Sequence, residues 1–114
     1  MLAQNNMTPQ EFVACVARQK DDMLSMYFDP DSGAAVATEI AALGLSDGQT
    51  KVLRMILDGS LTDVLYTLLL GLDGAASIGG VQSDYELRAE DGTLLTGGAL
   101  EAAAWEQFHG DKTE

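Results

Sequence analysis

The chain has few basic side chains and only one cysteine. Its 114 residues contain 6 lysines and arginines against 18 aspartates and glutamates, which gives a net charge of −12. A charge of that sign repels nucleic acid and anionic membranes, so we expect neither as a partner. Because Cys15 is the only cysteine, an intrachain disulfide and a zinc site built from several thiolates are excluded.

The basic side chains are scarcest in the second half of the chain. Residues 58–114 contain only Arg88 and Lys112 as cations, whereas they contain 11 carboxylates. Aromatic side chains are also few, with 3 Phe, 3 Tyr and 1 Trp, so aliphatic residues must fill most of the core. The 46% of apolar residues nevertheless indicates a globular chain. We predict a single compact domain over 1–114.

No segment has the pattern of a secretory signal or a clear membrane span. Residues 1–10 lack a basic run followed by an apolar stretch. The longest apolar tract, from Leu61 to Gly80, is interrupted by Asp63 and Asp73 and ends in a glycine-rich stretch. This pattern predicts a buried helix followed by a loop. We predict a cytoplasmic protein, which also agrees with its single cysteine.

Four helices are predicted before residue 73. The first begins at Pro9 behind a capping box of Thr8 and Glu11 and ends at Asp29-Pro30-Asp31. An alanine-rich helix follows over about residues 33–43, and Gly44 caps it. Ser46-Asp47-Gly48-Gln49 predicts a third helix through Leu57. After Asp58-Gly59, a cap at Ser60 and Asp63 predicts a fourth helix, which ends at Leu72 and lies at the centre of the core.

The remaining third of the sequence predicts a β-hairpin and a last helix. Residues 84–88 alternate between polar and apolar, Asp91-Gly92 is a favoured turn pair, and residues 93–96 supply the return strand. Residues 100–108 predict a helix in which Leu100, Ala104 and Phe108 share one face beside Trp105. The predicted fold is therefore α+β and predominantly helical, in the order α-α-α-α-β-β-α.

Motifs for cofactors and catalysis are weak. The glycine-rich segment 71–80 lacks the Lys-Ser/Thr pair of a phosphate-binding loop and the spacing of a dinucleotide fingerprint. Cys15 and His109 could together form a nucleophilic site, but packing at Cys15 and helix termination at His109 explain them as well. We predict no metal, no cofactor and no catalytic residue, and we favour a protein that is not an enzyme.

The acidic second half contains the candidate binding residues. Recognition of a basic protein would use carboxylates to steer association and an aromatic side chain as the anchor. The candidates are Asp84, Glu86, Glu90, Asp91, Glu101, Trp105 and Glu106. A solvated acidic face without a partner explains the same residues. Small acidic inhibitors and immunity proteins are analogous in bulk properties alone.

Two other classes of function stay open. The first alternative is a homo-oligomeric structural module, such as a homodimer, which an exposed strand edge would permit. The second is a small-ligand-binding domain or enzyme that uses the glycine-rich 71–80 segment together with Tyr66, Ser77 and Tyr85. We rank them after the module that binds a basic protein.

Overall fold

A computed structural model describes residues 7–110, so the first six positions of the stretch examined for a secretory signal lie outside the described residues. The described chain forms four helices: α1 (Pro9–Tyr27), α2 (Ala35–Ala42), α3 (Asp47–Leu72) and α4 (Ala99–His109). No strand occurs within 7–110. The prediction of a mostly helical chain is confirmed, whereas the α+β class and the α-α-α-α-β-β-α order are wrong.

Two of the three predicted caps form, whereas the cap predicted at Ser60 and Asp63 is wrong, because both residues lie inside a continuous helix. The backbone N–H of Glu11 donates to Thr8 Oγ1 at 3.0 Å, and the N–H of Thr8 donates to Glu11 Oε1 at 3.1 Å. Ser46 and Gln49 make the same reciprocal pair at the start of α3. Each box satisfies two backbone donors that a helix amino terminus leaves free.

The predicted third and fourth helices are one helix, α3, which is 26 residues long. We expected Asp58-Gly59 to separate them, but Gly59 has helical geometry without a positive φ. A glycine inside a helix costs about 1 kcal/mol relative to alanine. Ending the helix there would require a second nucleation step, which is unfavourable. The single helix therefore continues through the glycine.

The predicted β-hairpin is also wrong. Residues 84–96 form one isolated bridge, Arg88 to Leu94, around a turn in which the Gly92 N–H donates to Ala89 O. The buried hydroxyl of Thr96 accepts the Leu87 N–H and donates to Tyr85 O, at 3.2 and 2.9 Å. A side chain thus occupies the positions where further backbone pairs of a ladder would form, so the pairing does not extend into strands.

The chain divides into two compact units. The terminal unit contains 7–17 and 64–110 of the described residues, and the central unit contains 18–63. Helices α1 and α3 contribute residues to both. The single domain over 1–114 stays a prediction.

The core of the terminal unit forms between α1, α3 and α4. Its buried members are Val13, Leu69, Leu100, Ala103 and Ala104. Partly buried side chains pack against them, among them Phe12, Val16 and Phe108. The predicted α4 stripe is therefore confirmed at Leu100, Ala104 and Phe108. Sequence periodicity missed Val13, which has no exposed surface.

The central unit has a smaller core, with Leu24 and Ala37 buried. Lys20 Nζ of α1 lies 2.7 Å from Asp58 Oδ1 and donates to Thr62 Oγ1 of α3 at 3.1 Å. The guanidinium carbon of Arg54 lies 5.5 Å from the centre of the Phe28 ring. Polar contacts thus join α1 to α3 in this unit, and a cation–π contact joins α3 to the residue that follows α1.

Candidate protein-binding surfaces

All seven predicted binding residues belong to the terminal unit, and all are exposed. Four lie in the segment that joins α3 to α4, and Glu101, Trp105 and Glu106 lie on α4. We call the set the acidic surface: Asp84, Glu86, Glu90, Asp91, Glu101, Trp105 and Glu106.

The negative charges of the carboxylates in this unit are balanced by almost no positive charges. Its described residues include eight carboxylates, whereas Arg88 is its one cation of the Lys or Arg type. Arg88 pairs with Glu86 at 3.2 Å, in an ion pair that is open to solvent on both sides. Among the described residues, the other five carboxylates of the acidic surface have no ion pair. The unit therefore presents a negative field that a basic partner could neutralise.

Hydrogen bonds within the turn hold the Asp91 carboxylate in place and favour its charged form. Its Oδ1 accepts the backbone N–H of Thr93 at 3.0 Å. This hydrogen bond, with a second one from the Thr93 side chain, lowers the pKa of Asp91 below its usual value, because both stabilise the charged form. The turn also requires Gly92, which has φ +91°.

Trp105 lies in an aromatic cluster. Its ring centre is 5.2 Å from that of His109 on the same helix and 6.4 Å from that of Tyr66 on α3. Tyr66 and His109 pack edge to face at 4.6 Å. The indole is nevertheless 55% exposed. An aromatic side chain that packs against neighbouring rings and still exposes much of its surface to solvent is suited to anchor a protein partner.

Asp73 positions α4, and sequence analysis assigned it no such role. Its carboxylate accepts the backbone N–H groups of Gly97, Gly98 and Glu101 at 2.5, 2.9 and 2.8 Å. A carboxylate at a helix amino terminus satisfies free donors and matches the helix dipole. Because 24 residues separate Asp73 from Gly97, no local sequence signal could identify the pair.

The glycine-rich segment 71–80 has structural roles, because its glycines permit close packing and tight turns. Ile78 and Val81 exchange two backbone hydrogen bonds of 3.0 Å each. The Ile78 side chain covers Gly71, where it would overlap any Cβ. Gly74 has φ +80°, and its carbonyl accepts from Gln82 Nε2 at 2.8 Å. Ligand binding by this segment stays a prediction.

Cys15 and His109, the two residues considered for catalysis, lie in different surroundings. Cys15 is exposed on α1, and the His109 ring packs against Tyr66 and Trp105. Within residues 7–110, no group of three or more His, Cys, Asp or Glu side chains has the arrangement of a metal site.

A second surface, which sequence analysis missed, lies on α3 in the central unit. We predicted that the apolar tract from Leu61 would form a buried helix, but in the most apolar 18-residue window of α3 only 11% of the residues are buried. An apolar groove of about 370 Å³ lies at the amino-terminal part of α3 and the loop before it. Its lining is Leu43, Leu45, Gly48, Gln49, Val52, Leu53 and Ile56.

Helix α3 is also long and apolar enough to cross a membrane, with a mean hydropathy of 1.4 in that window. Helices of soluble proteins meet the same criterion, and three aspartates, Asp47, Asp58 and Asp63, lie within the helix. The predictions of no membrane partner and of a cytoplasmic location stay predictions.

Comparisons with known protein families, with curated proteins and with solved structures gave no match to this chain. The argument about function therefore depends on the two surfaces themselves.

Proposed function

We propose that the protein is a non-catalytic binding module that recognises a basic protein partner through the acidic surface. The observation that carries the proposal is an exposed, supported Trp105 in a unit whose carboxylates have almost no cations of their own. Exposed carboxylates raise the association rate with a positive partner, and a desolvated aromatic anchor supplies the contact energy.

The packing of Trp105 against its neighbours favours a binding surface over a solvated acidic face without a partner. An isolated exposed tryptophan loses conformational entropy when a partner immobilises it, and that loss weakens binding. Here His109 and Tyr66 pack against the indole before any partner arrives. Asp73 holds the first turn of the helix that carries it. The anchor is therefore preorganised.

Retention of a basic protein from native lysate tests the proposal. The acidic-surface variant Asp84→Asn/Glu86→Gln/Glu90→Gln/Asp91→Asn removes four charges, and the amides keep the shape and the acceptor of the Asp91 turn. The matched control, Asp21→Asn/Asp22→Asn/Asp31→Asn/Glu39→Gln, removes four exposed charges from the central unit. Both variants have the same net charge.

We expect wild type and the control variant to retain the same basic protein at low salt, and the acidic-surface variant to lose it. High salt should release it from both, because screening weakens attraction between exposed charges. Equal retention by the two variants would contradict the proposal, since net charge alone would then explain binding.

A homo-oligomeric module is the second candidate function. The observation that favours it is different, namely the exposed apolar side chains of α3 in the central unit. Contiguous exposed apolar surface indicates a protein interface.

A further inference from the structure

Glu101 and Trp105 lie one helical turn apart on the exposed face of α4. Side chains four residues apart share one face of a helix, and each leans toward the amino terminus, so the indole extends over the turn that contains Glu101. Both residues are exposed, and Glu101 has no ion pair among the described residues. A carboxylate and an aromatic ring are therefore exposed side by side.

The neighbours that hold the indole lie away from Glu101. His109 follows Trp105 by one turn, and the two ring centres are 5.2 Å apart. The Tyr66 ring packs edge to face against His109 and lies 6.4 Å from the indole. Because His109 and Glu101 lie in opposite directions along α4, this packing leaves open the side of the indole that borders Glu101.

Ala102 leaves room next to these two side chains. It lies three residues before Trp105, so it shares the same face of α4, and it is itself exposed. Its side chain is a single methyl group, so it does not reach across the indole as a longer side chain would. We call the space bordered by Glu101, Ala102 and Trp105 the α4 recess.

We infer, on the basis of the proposed function, that the α4 recess binds an arginine side chain of the basic partner. Its guanidinium stacks on the Trp105 ring and donates hydrogen bonds to the Glu101 carboxylate. A guanidinium is planar and weakly hydrated, so it can stack on an aromatic ring while its N–H groups bind a carboxylate. A lysine ammonium is a strongly hydrated point charge, which fits this pair of groups less well.

Charge complementarity selects a cation as the occupant. The described residues of the terminal unit include eight carboxylates, and Arg88, its one cation of the Lys or Arg type, already contacts Glu86 and the Gly92 carbonyl. An acidic side chain in the recess would be repelled by Glu101, and an apolar one would desolvate that carboxylate without giving it a hydrogen bond. Arginine satisfies the ring and the carboxylate with one side chain.

Calorimetric titration of the full chain with two peptides tests the arginine site. The probes are an arginine hexapeptide and a lysine hexapeptide with blocked ends, which have the same charge. We expect the arginine peptide to bind about five-fold more tightly or better. Trp105 is the one tryptophan of the chain, so its fluorescence reports on the recess directly. The arginine peptide should change that fluorescence more than the lysine peptide does at equal saturation.

Two matched variants locate the preference for arginine. Glu101→Gln and Glu106→Gln each remove one exposed carboxylate from α4, but Glu106 lies about 100° around the helix from Trp105. Because arginine binds many carboxylates better than lysine does, the ratio of the two affinities in each variant is the deciding quantity. Glu101→Gln should reduce the ratio to less than about two-fold, whereas Glu106→Gln should weaken both peptides alike and keep it. Trp105→Leu should also reduce it. Circular dichroism verifies that each variant keeps its helices.

Two results would overturn the arginine site. One is equal affinity of wild type for the two peptides, and the other is the same affinity ratio in Glu101→Gln and Glu106→Gln. Either result leaves the proposed function standing if the basic protein is still lost by the acidic-surface variant and retained by its control. Equal retention of that protein by those two variants would contradict the proposed function itself, so the two failures are distinguishable.

Discussion

Asp73 and Gly98 join the end of α3 to the start of α4: the Asp73 Oδ2 atom accepts the Gly98 N–H at 2.9 Å. The same carboxylate accepts the N–H groups of Gly97 and Glu101, so three donors converge on one side chain. Both glycines have φ above +110°, a conformation that turns their N–H groups toward Asp73 at little steric cost. The orientation of Trp105 depends on this junction, since Trp105 lies one turn beyond Glu101.

We predict that Asp73→Ala lowers the free energy of unfolding by about 1–2 kcal/mol, because it removes a helix cap and leaves backbone donors without a partner. Asp73→Asn should lower the free energy of unfolding less, since the amide oxygen still accepts hydrogen bonds from the backbone. Urea unfolding followed by circular dichroism measures both variants. Asp21→Ala, at an exposed site on α1, is the control; an effect as large as that of Asp73→Ala would contradict the capping role.

The same substitution at two glycines should have opposite effects. Gly98→Ala should destabilise the chain by about 1–2 kcal/mol, because φ is +113° there. Gly59→Ala should stabilise it by about 1 kcal/mol, because the site is helical with open space around it. Urea unfolding measures both. Destabilisation by Gly59→Ala would show that the helix is strained or interrupted there.

Features encoded by neighbouring residues could be predicted from the sequence. The capping boxes at Thr8 and Ser46 and the apolar stripe of α4 were correct, because three- and four-residue spacing contains the whole signal. The interruption expected at Asp58-Gly59 was wrong. Local propensity gives the free-energy cost of one glycine, but it does not show that continuing the helix is more favourable than starting a new one.

Features that depend on distant residues could not be predicted. The alternation of polar and apolar residues in 84–88 indicated a strand. The Thr96 side chain instead makes hydrogen bonds with the backbone of Tyr85 and Leu87, and only a single bridge forms in this segment. The Asp73 cap and the exposure of α3 likewise depend on which elements pack together. The exposed state of the acidic residues was predictable, since charged side chains are seldom buried.

Asp91 should titrate below the usual range of an aspartate. Hydrogen bonds from the backbone and side chain of Thr93 lower its pKa. Because the folded pKa is below the unfolded one, the stabilisation is present above the unfolded pKa and is lost as pH falls through the folded pKa. NMR titration of carboxyl carbons measures it. Thr93→Val should raise the pKa of Asp91, and an unchanged pKa would contradict the side-chain contribution.

Lys20 and Asp58 should be coupled by about 0.5–1 kcal/mol. Their contact is short, but the Asp58 side chain is half exposed, so solvent screens much of the attraction. A double-mutant cycle of Lys20→Met and Asp58→Asn, measured by urea unfolding, gives the coupling free energy. Additive effects of the two substitutions would show that this pair does not stabilise the α1–α3 contact.

The most direct test of the central claim is a titration of the retained basic protein, purified, against four chains at two salt concentrations. These are wild type, the acidic-surface variant, the control variant with four neutralised charges in the central unit, and Trp105→Ala. Calorimetry should give equal affinities for wild type and the control variant. Affinity should fall about ten-fold or more for Trp105→Ala, and the acidic-surface variant should lose most of its salt dependence. If the acidic-surface and control variants bind with the same affinity and salt dependence, recognition through the acidic surface is contradicted.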